Sequence, residues 1–365
     1  MKSLCIDVRM YRSSGIGVYI RNILKGLQKS GKYNIQLIVS DKESGLPDFQ
    51  NFDFVVASSD IYTINEQIEI PYLIRKCDIF WSPNYNAPIL PIRAKKRVVT
   101  IHDVCHLAFQ QDFSFIKKTY AKLFMLGSVR LSDAILTISN FSKNEIIRYT
   151  NCRENKIFTV PIASDPSCFF PSKLEEKILF LDSQGLKRDY ILYIGNVKPH
   201  KNIKGLIEAF RDSIEKKIYD LDLVVLGKSF QNYPLKEDIK QDPFLRDRVY
   251  FLDSINDESL KHFYSFAKCL VLPSYYEGFG MTPLEAMHCG CPTVVSNAAS
   301  IPEVCGDASV YFNPYSKSSI AKSIAKVVCD PETSKELIYK GFNQIKKFSW
   351  EKTVFQIETI FDEIV

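Results

Sequence analysis

Short apolar runs alternate with amphipathic stretches from one end of the chain to the other. SLCIDVR, NIQLIV, DFVVAS, CDIFWS, RVVTIHD, DAILTIS and KIFTVP each read as a strand, and each precedes a polar or helical-period segment. Strands joined by helical crossovers pair in parallel. After Pro161 the pattern breaks into ASDPSCFFPSKLEEK, a turn-rich stretch that reads as a linker. It restarts with YILYIGN, DLVVLG, VYFLDS, CLVLPS, PTVVSN and ASVYFN, again with helices between. The expected fold class is α/β, with two doubly wound, Rossmann-like domains at 1–170 and 171–347. The chain closes on an amphipathic helix over about 348–365, with Trp350, Val354, Ile357 and Phe361 at helical spacing.

Length supports the division, because 365 residues exceed one ordinary core. A hydrophobic fraction of 46% with 24% charged residues describes a soluble globular chain. The opening MKSLCIDVRMYR is interrupted at Asp7 and lacks the apolar core of a signal peptide. No stretch approaches the roughly 18 uncharged residues that span a bilayer, so a cytoplasmic location is expected. The ten cysteines lie scattered in apolar runs without C-x-x-C spacing and read as buried thiols; Cys289 and Cys291 lack the second pair a zinc site needs. A net charge of +5, dispersed among 42 acidic residues, excludes nucleic acid as the expected partner.

Ligands of open α/β sheets sit beyond the carboxyl ends of the strands, which directs attention to four places. In SSGIGVYIRNIL, Gly15 and Gly17 allow close backbone approach at a helix start; an ordinary strand-to-helix turn is the alternative. No third glycine stands at dinucleotide spacing, which argues against NAD. In VVTIHD, His102 leaves an apolar strand and is expected to face an interdomain cleft. There it would hydrogen-bond a sugar hydroxyl or offer its backbone carbonyl to developing positive charge. In YIGNVKPHKNIKGL, Lys201 follows Gly195 and Asn196 at a helix mouth suited to a pyrophosphate; a solvated lysine is the bland reading. In CLVLPSYYEGFGMTPLEAMHCG, Gly278 and Gly280 permit tight turns that open a helix through Phe279, Met281 and Thr282. Glu277 and Glu285 flank that opening, typed for neutral hydroxyls with a phosphate between them.

EGFGMTPLE, with seven residues between its glutamates, resembles the signature of the retaining glycosyltransferases of family 4, which have the GT-B fold. SGIGVYIRNIL, TIHD, TISNFSKNEI, GNVKPHKN and NAASIPEV fall in that family's order, so the resemblance spans nearly the whole chain, and is strongest to bacterial O-antigen and capsule mannosyltransferase-like members. It implies two facing Rossmann domains, the first mainly binding acceptor and the second nucleotide sugar, with the last helix packing back on the first. It further implies Glu277 on the donor sugar, Glu285 on the ribose, Lys201 on the diphosphate and His102 on the sugar from the opposite wall. Gly15 and Gly17 would lie against the phosphates, with Ser139 lining the cleft. Asn196 and His200 stand where many members carry arginine, and Val18 replaces the arginine of a GIGRY motif. Lys198, Lys228 or a protonated His200 would then supply the displaced charge.

The implied reaction is a same-face transfer of a hexose, with mannose from GDP-mannose as the leading donor and UDP- or dTDP-sugars as the alternatives. The acceptor is a saccharide or lipid-linked saccharide. No cofactor or metal is required if lysine and helix amides carry the phosphate charge; Asp220 and Asp222 match D-x-D but enter a strand rather than leave one. RAKKR at 93–97 and the segment 113–130, with Phe113, Phe115, Tyr120 and Phe124 beside Lys117, Lys118 and Lys122, are candidate contacts to the inner membrane surface. An epimerase of the same fold or a non-catalytic nucleotide-sugar-binding protein remains the rival reading.

Overall fold

The computed structural model describes residues 1–109, 115–227, 230, 233, 235–252 and 257–365, without the side chains of 115–118 and 257. It divides into two compact units, Met1–Ile162 with Trp350–Val365, and Ala163–Ser349.

Unit 1 is built on β1 (Lys2–Asp7), β2 (Tyr33–Ser40), β3 (Asp53–Ala57), β4 (Cys77–Ser82), β5 (Ala94–Thr100), β6 (Ala134–Thr137) and β7 (Ile157–Thr159). They form one sheet in the order β3-β2-β1-β4-β5-β6-β7, with the pairs all parallel. In the inner strand β1, Leu4 lies level with Ile35 and Ile79, and Leu4, Cys5 and Ile6 are all buried. Helices cover both faces of such a sheet, so its inner strands read as continuous apolar runs rather than alternating ones.

The helix Ser14–Ser30 buries Tyr19, Ile20, Ile23, Leu24 and Leu27 along one stripe. It stops at Gly31, whose left-handed backbone sends its amide to the Leu27 carbonyl. The C-terminal helix Trp350–Ile364 lies against it, with Gly26 beneath Val354, and the ring of Phe361 meets those of Tyr33 and Trp81 at 6.0 and 5.6 Å. Thr353 Oγ1 donates to the Pro161 carbonyl at 2.7 Å, and Lys32 pairs with Glu358 at 2.7 Å.

Unit 2 repeats the plan with β8 (Tyr190–Ile194), β9 (Asp222–Leu226), β10 (Val249–Leu252), β11 (Cys269–Leu272), β12 (Thr293–Ser296) and β13 (Ser309–Phe312). The parallel order is β10-β9-β8-β11-β12-β13. One face of this sheet is covered by the helices Ile203–Glu215 and Lys317–Val328, whose Leu206, Phe210, Ile320 and Ile324 share a core with Ile191 and Tyr193. The stretch after Pro161 is not a linker: Phe169 is buried edge-on to Tyr264 at 5.8 Å, and the Ser172 amide donates to Ser265 Oγ at 3.0 Å. The division therefore falls at Ile162, ahead of residue 170, because Phe169 in that turn-rich segment belongs to the second core.

Candidate functional site

In unit 2 the candidate residues gather where β8 and β11 end. The Gly195 amide continues the sheet with a 3.0 Å bond to the Leu226 carbonyl, and the exposed Asn196 follows. A 3-10 turn then spans Pro199–Lys201 and ends at Asn202 in the left-handed region, φ 54°. Two bonds pin the turn: Asn202 Nδ2 donates to the carbonyls of Pro273 at 3.0 Å and Pro314 at 2.9 Å. The Tyr275 amide adds a third contact, donating to the His200 carbonyl at 2.8 Å. His200 is itself buried, so the surface charge expected there does not come from an exposed imidazole.

Held in this way, Lys201 Nζ reaches both oxygens of Glu277, at 2.7 and 2.8 Å, and Ser274 Oγ donates to Glu277 Oε1 at 2.7 Å. The loop backbone is fixed from behind by Ser300, whose hydroxyl donates to the carbonyls of Glu277 at 2.8 Å and Phe279 at 3.0 Å. Gly278 lies between them, and Phe279 is buried edge-on to Phe348 at 5.7 Å.

Gly280 then takes φ 92°, ψ 70°, which an L side chain rarely adopts, and opens the helix Met281–His288 without a side-chain cap. The amides of Met281 and Thr282 have no intrahelical acceptor, and Pro283 has no N–H to offer, so this end is a polarised donor surface. Glu285, one turn in, is buried and accepts a 2.6 Å bond from the Tyr264 hydroxyl. Burial and the adjacent carboxylate push the Tyr264 pKa far above its ordinary value, so the phenol stays protonated and donates.

The candidates of unit 1 are linked differently. Gly15 is exposed, with nothing near the position a Cβ would take, whereas a Cβ on Gly17 would strike the Tyr11 carbonyl. That carbonyl also accepts from Arg21 Nη1 at 2.7 Å, so Gly17 lets the chain before the helix fold over it. Two residues on, Tyr19 stands edge-on to His102 at 4.9 Å. His102 Nε2 lies 3.0 Å from the Pro83 carbonyl; a carbonyl only accepts, so Nε2 carries the proton and Nδ1 is left as an acceptor. Burial holds this imidazole below its ordinary pKa. The backbone carbonyl offered to developing positive charge already accepts from Ser142 Oγ at 3.0 Å. Ser139, expected to line a cleft, is fully buried, and its hydroxyl accepts the Ser142 amide as the N-cap of the helix Asn140–Thr150.

Sequence reasoning missed a buried ionic cluster at the carboxyl end of β1. Arg9 bonds Asp7 at 2.8 Å and Glu66 at 2.8 Å, with both acids and the arginine nearly sealed from water. Glu66 also accepts from the Tyr62 amide at 2.6 Å, from Tyr120 Oη at 3.0 Å and from Asn86 Nδ2. Arg9 Nη1 has no hydrogen-bond partner among the described residues. A cavity of about 460 Å³ borders this cluster, lined by Arg12, Ser40, Glu43, Ser59 and Asp60 from the loops after β1, β2 and β3. The only sequence signal was the cation-bearing VRMYR directly after the first strand.

Two basic tracts expected at a membrane surface make contacts within unit 1. RAKKR forms the start of the inner strand β5: Lys95 pairs with Asp78 at 2.7 Å, Lys96 with Asp133 at 3.7 Å, and Arg97 is buried against the Leu90 carbonyl at 2.9 Å. In the helix Phe115–Leu131, Tyr120 bonds Glu66 and Phe124 is buried. Phe113 and Lys228, and the side chains of Phe115, Lys117 and Lys118, lie outside the described residues. No described helix is long and apolar enough to cross a membrane.

Asp222 opens β9 and bonds Arg188 at 3.2 Å, while Asp220 pairs with Arg248 at 2.6 Å, so the D-x-D acids are spent on arginines at the strand's amino end. No group of three metal-type ligands occurs among the described residues. The cysteines are free thiols and most are buried.

Two parallel sheets, each with its polar clusters at the strand carboxyl ends, define a class that comparison with known proteins makes specific. The family model described as Glycosyltransferase Family 4 matches residues 13–167, and that described as Glycosyl transferases group 1 matches 179–344. The chain belongs to the glycosyltransferases of family 4 and has the GT-B fold. O-antigen chain mannosyltransferase B of Escherichia coli is 32% identical over 76% of this chain and 72% of its own length. O-antigen chain mannosyltransferase RfbU of Salmonella typhimurium is 30% identical over 64% of this chain and 61% of its own. The chain spans about a third of another relative, the serotype-specific mannosyltransferase WbdA of Escherichia coli, at 29% identity over 32% of its length. Among solved structures, Anabaena HepE in complex with UDP and glucose superposes with a TM-score of 0.80 at 16% identity, each chain covered in full. WaaG, a glycosyltransferase of lipopolysaccharide biosynthesis, gives 0.76 at 15%, with 99% of each chain covered.

Proposed function

We propose that the chain is a retaining hexosyltransferase that moves mannose from GDP-mannose to a hydroxyl of a saccharide or lipid-linked saccharide in surface polysaccharide synthesis. The observation that carries this reading is the Lys201–Glu277 ion pair, set in the loop that runs directly into the glycine-opened helix Met281–His288. In the proposed step the bond from the anomeric carbon to the diphosphate breaks and its electron pair leaves with the phosphate. The acceptor oxygen bonds the same face, and its proton passes to the departing phosphate oxygen, so no protein nucleophile takes part.

The developing diphosphate charge is what the protein must meet. An ammonium on a pinned turn and the amides of Met281 and Thr282 are suited to that task, since oriented donors stabilise a leaving anion without reorganising. Glu277 aligns the lysine and offers its lone pairs to the hydroxyls of the transferred sugar, while Glu285, steadied by Tyr264, suits a ribose hydroxyl. His102 Nδ1 is an acceptor that unit 1 offers to a sugar hydroxyl. Acceptor binding belongs in unit 1, where the cavity beside Arg9 lies at the strand carboxyl ends. Charge neutralisation by lysine and helix amides makes the proposed transfer independent of metal.

Mannose is favoured by the names of the two O-antigen relatives, and UDP is retained as the rival nucleotide because HepE holds it. The test is transfer from GDP-mannose, UDP-glucose and a dTDP-sugar to mannose oligosaccharides, with the product anomer read by NMR. Acceptor-dependent α-mannosyl product from GDP-mannose is expected. Inverted product, donor turnover without acceptor, or donor binding with no turnover would each overturn the reading, the last two in favour of an epimerase and a non-catalytic binder.

A further inference from the structure

We infer that unit 2 carries a second saccharide-binding site, separate from the Lys201–Glu277 site, on a shelf made by Tyr275 and Tyr315. The two rings stack with centroids 4.7 Å apart and planes 20° apart. Tyr315 is 75% exposed, so most of its ring surface is open to a ligand. A large aromatic ring left in water gains nothing from the core, yet the turn that presents it is well fixed. The Tyr315 amide donates to Asn313 Oδ1 at 3.0 Å, the Ser316 amide to the Asn313 carbonyl at 3.1 Å, and the Pro314 carbonyl accepts from Asn202 at 2.9 Å.

The shelf borders a cavity of about 450 Å³, the size range of small-ligand sites. Its rim holds Lys198, Lys204, Glu208 and Lys317, with Lys317 2.8 Å and Lys204 4.0 Å from the Glu208 carboxylate. Lys201, Glu277 and Glu285 do not line it. This combination fits a pyranose: its C–H face packs on a flat ring, and its hydroxyls find ammonium donors and a carboxylate acceptor at the edge. A nucleotide would stack as well, but Lys204 and Lys317 already face Glu208, which leaves Lys198 as the one rim lysine without an ion pair among the described residues to meet its phosphates. The occupant is a saccharide of the acceptor's chemistry; this rests on the acceptor reading given above.

The experiment titrates the protein with mannotetraose by saturation-transfer NMR and calorimetry, using wild type, Tyr315→Ala and Tyr315→Phe. Tyr315→Ala is expected to weaken tetrasaccharide binding by about fivefold, the scale of one lost aromatic stacking contact, and Tyr315→Phe to restore it. The melting temperature and the affinity for GDP are expected to stay unchanged. In transfer assays the KM for a tetrasaccharide acceptor rises in Tyr315→Ala, while that for a monosaccharide acceptor does not. Equal tetrasaccharide binding by Tyr315→Ala, no binding by wild type at millimolar ligand, or loss of GDP affinity in the variant overturns the proposal. Loss of transfer from every donor in wild type would instead remove the acceptor reading and leave the binding result standing.

Discussion

Lys201 and Glu277 come from loops after different strands, yet form a single ion pair in which one ammonium meets both carboxylate oxygens at 2.7 and 2.8 Å. Each therefore sets the other's position, and neither can be removed without leaving a partly buried charge unpaired. Lys201→Ala and Glu277→Ala are each expected to lower kcat at least about a hundredfold, the scale of losing one oriented electrostatic group. Coupling should make the double variant far less impaired than the product of the two losses. Unchanged rates in both single variants, or fully multiplicative losses, would sink the shared role.

Gly280 is committed by its backbone more than by its surroundings, since a Cβ there would meet only Leu272 and Ile301 at ordinary contact distances of 3.8 and 3.9 Å. Gly280→Ala should cost about 1 to 2 kcal/mol through the left-handed backbone alone. Relaxing that strain rotates the helix start, so weaker GDP binding is expected beside the lower melting temperature. A variant that loses stability but keeps full nucleotide affinity would show that the helix opening is not part of the site.

Tyr264 positions Glu285 from within the core. Tyr264→Phe removes a hydrogen bond to a carboxylate, a change of about 1.5 to 3 kcal/mol, and should raise the donor KM by roughly tenfold or more with little change in kcat. A drop in kcat at constant KM would contradict a role in holding the donor.

His102 predicts an acid-sensitive fold. Burial depresses its pKa below the ordinary 6.5, opposed by the bond to the Pro83 carbonyl and by Asp103. The unfolded chain then takes up the proton first as pH falls. The stabilising contribution is complete above 6.5 and is lost as pH drops through the folded value. His288, also depressed by burial, acts in the same direction. Melting temperature should fall between pH 7 and 5, with a shallower slope in His102→Gln; identical slopes would show that His102 does not titrate in this way.

Activity is expected to survive excess chelator, because Asp220 and Asp222 are held by Arg248 and Arg188 and the proposed charge carriers are Lys201 and helix amides. Inactivation by EDTA that divalent cations reverse would disprove metal independence.

Much of the fold was legible in the sequence, because strand and helix periodicities are local properties. Each of the apolar runs read as a strand, from SLCIDVR to ASVYFN, overlaps one of the thirteen strands found among the described residues, although β1, β2 and β5 extend beyond the run that was read. The glycines and glutamates of EGFGMTPLE also announce a tight turn into a helix within a single segment. Position at a strand's carboxyl end nominated His102, while Lys201 owed its role to the family resemblance.

What the tertiary structure alone decided is which of these residues touch. Glu277 and Lys201 are joined where Asn202 ties its turn to Pro273 and Pro314 and the Tyr275 amide bonds the His200 carbonyl, contacts that no sequence period encodes. The Tyr264–Glu285 and Arg9–Glu66 contacts were invisible for the same reason, since the partners lie tens of residues apart. Ser139, which the resemblance set in a cleft wall, is a buried helix cap, and two cations of RAKKR, Lys95 and Lys96, pair with acids on neighbouring elements. A chain's pattern dictates its elements through local sterics and burial; the meeting of polar groups depends on where loops converge, which only the packed sheets determine.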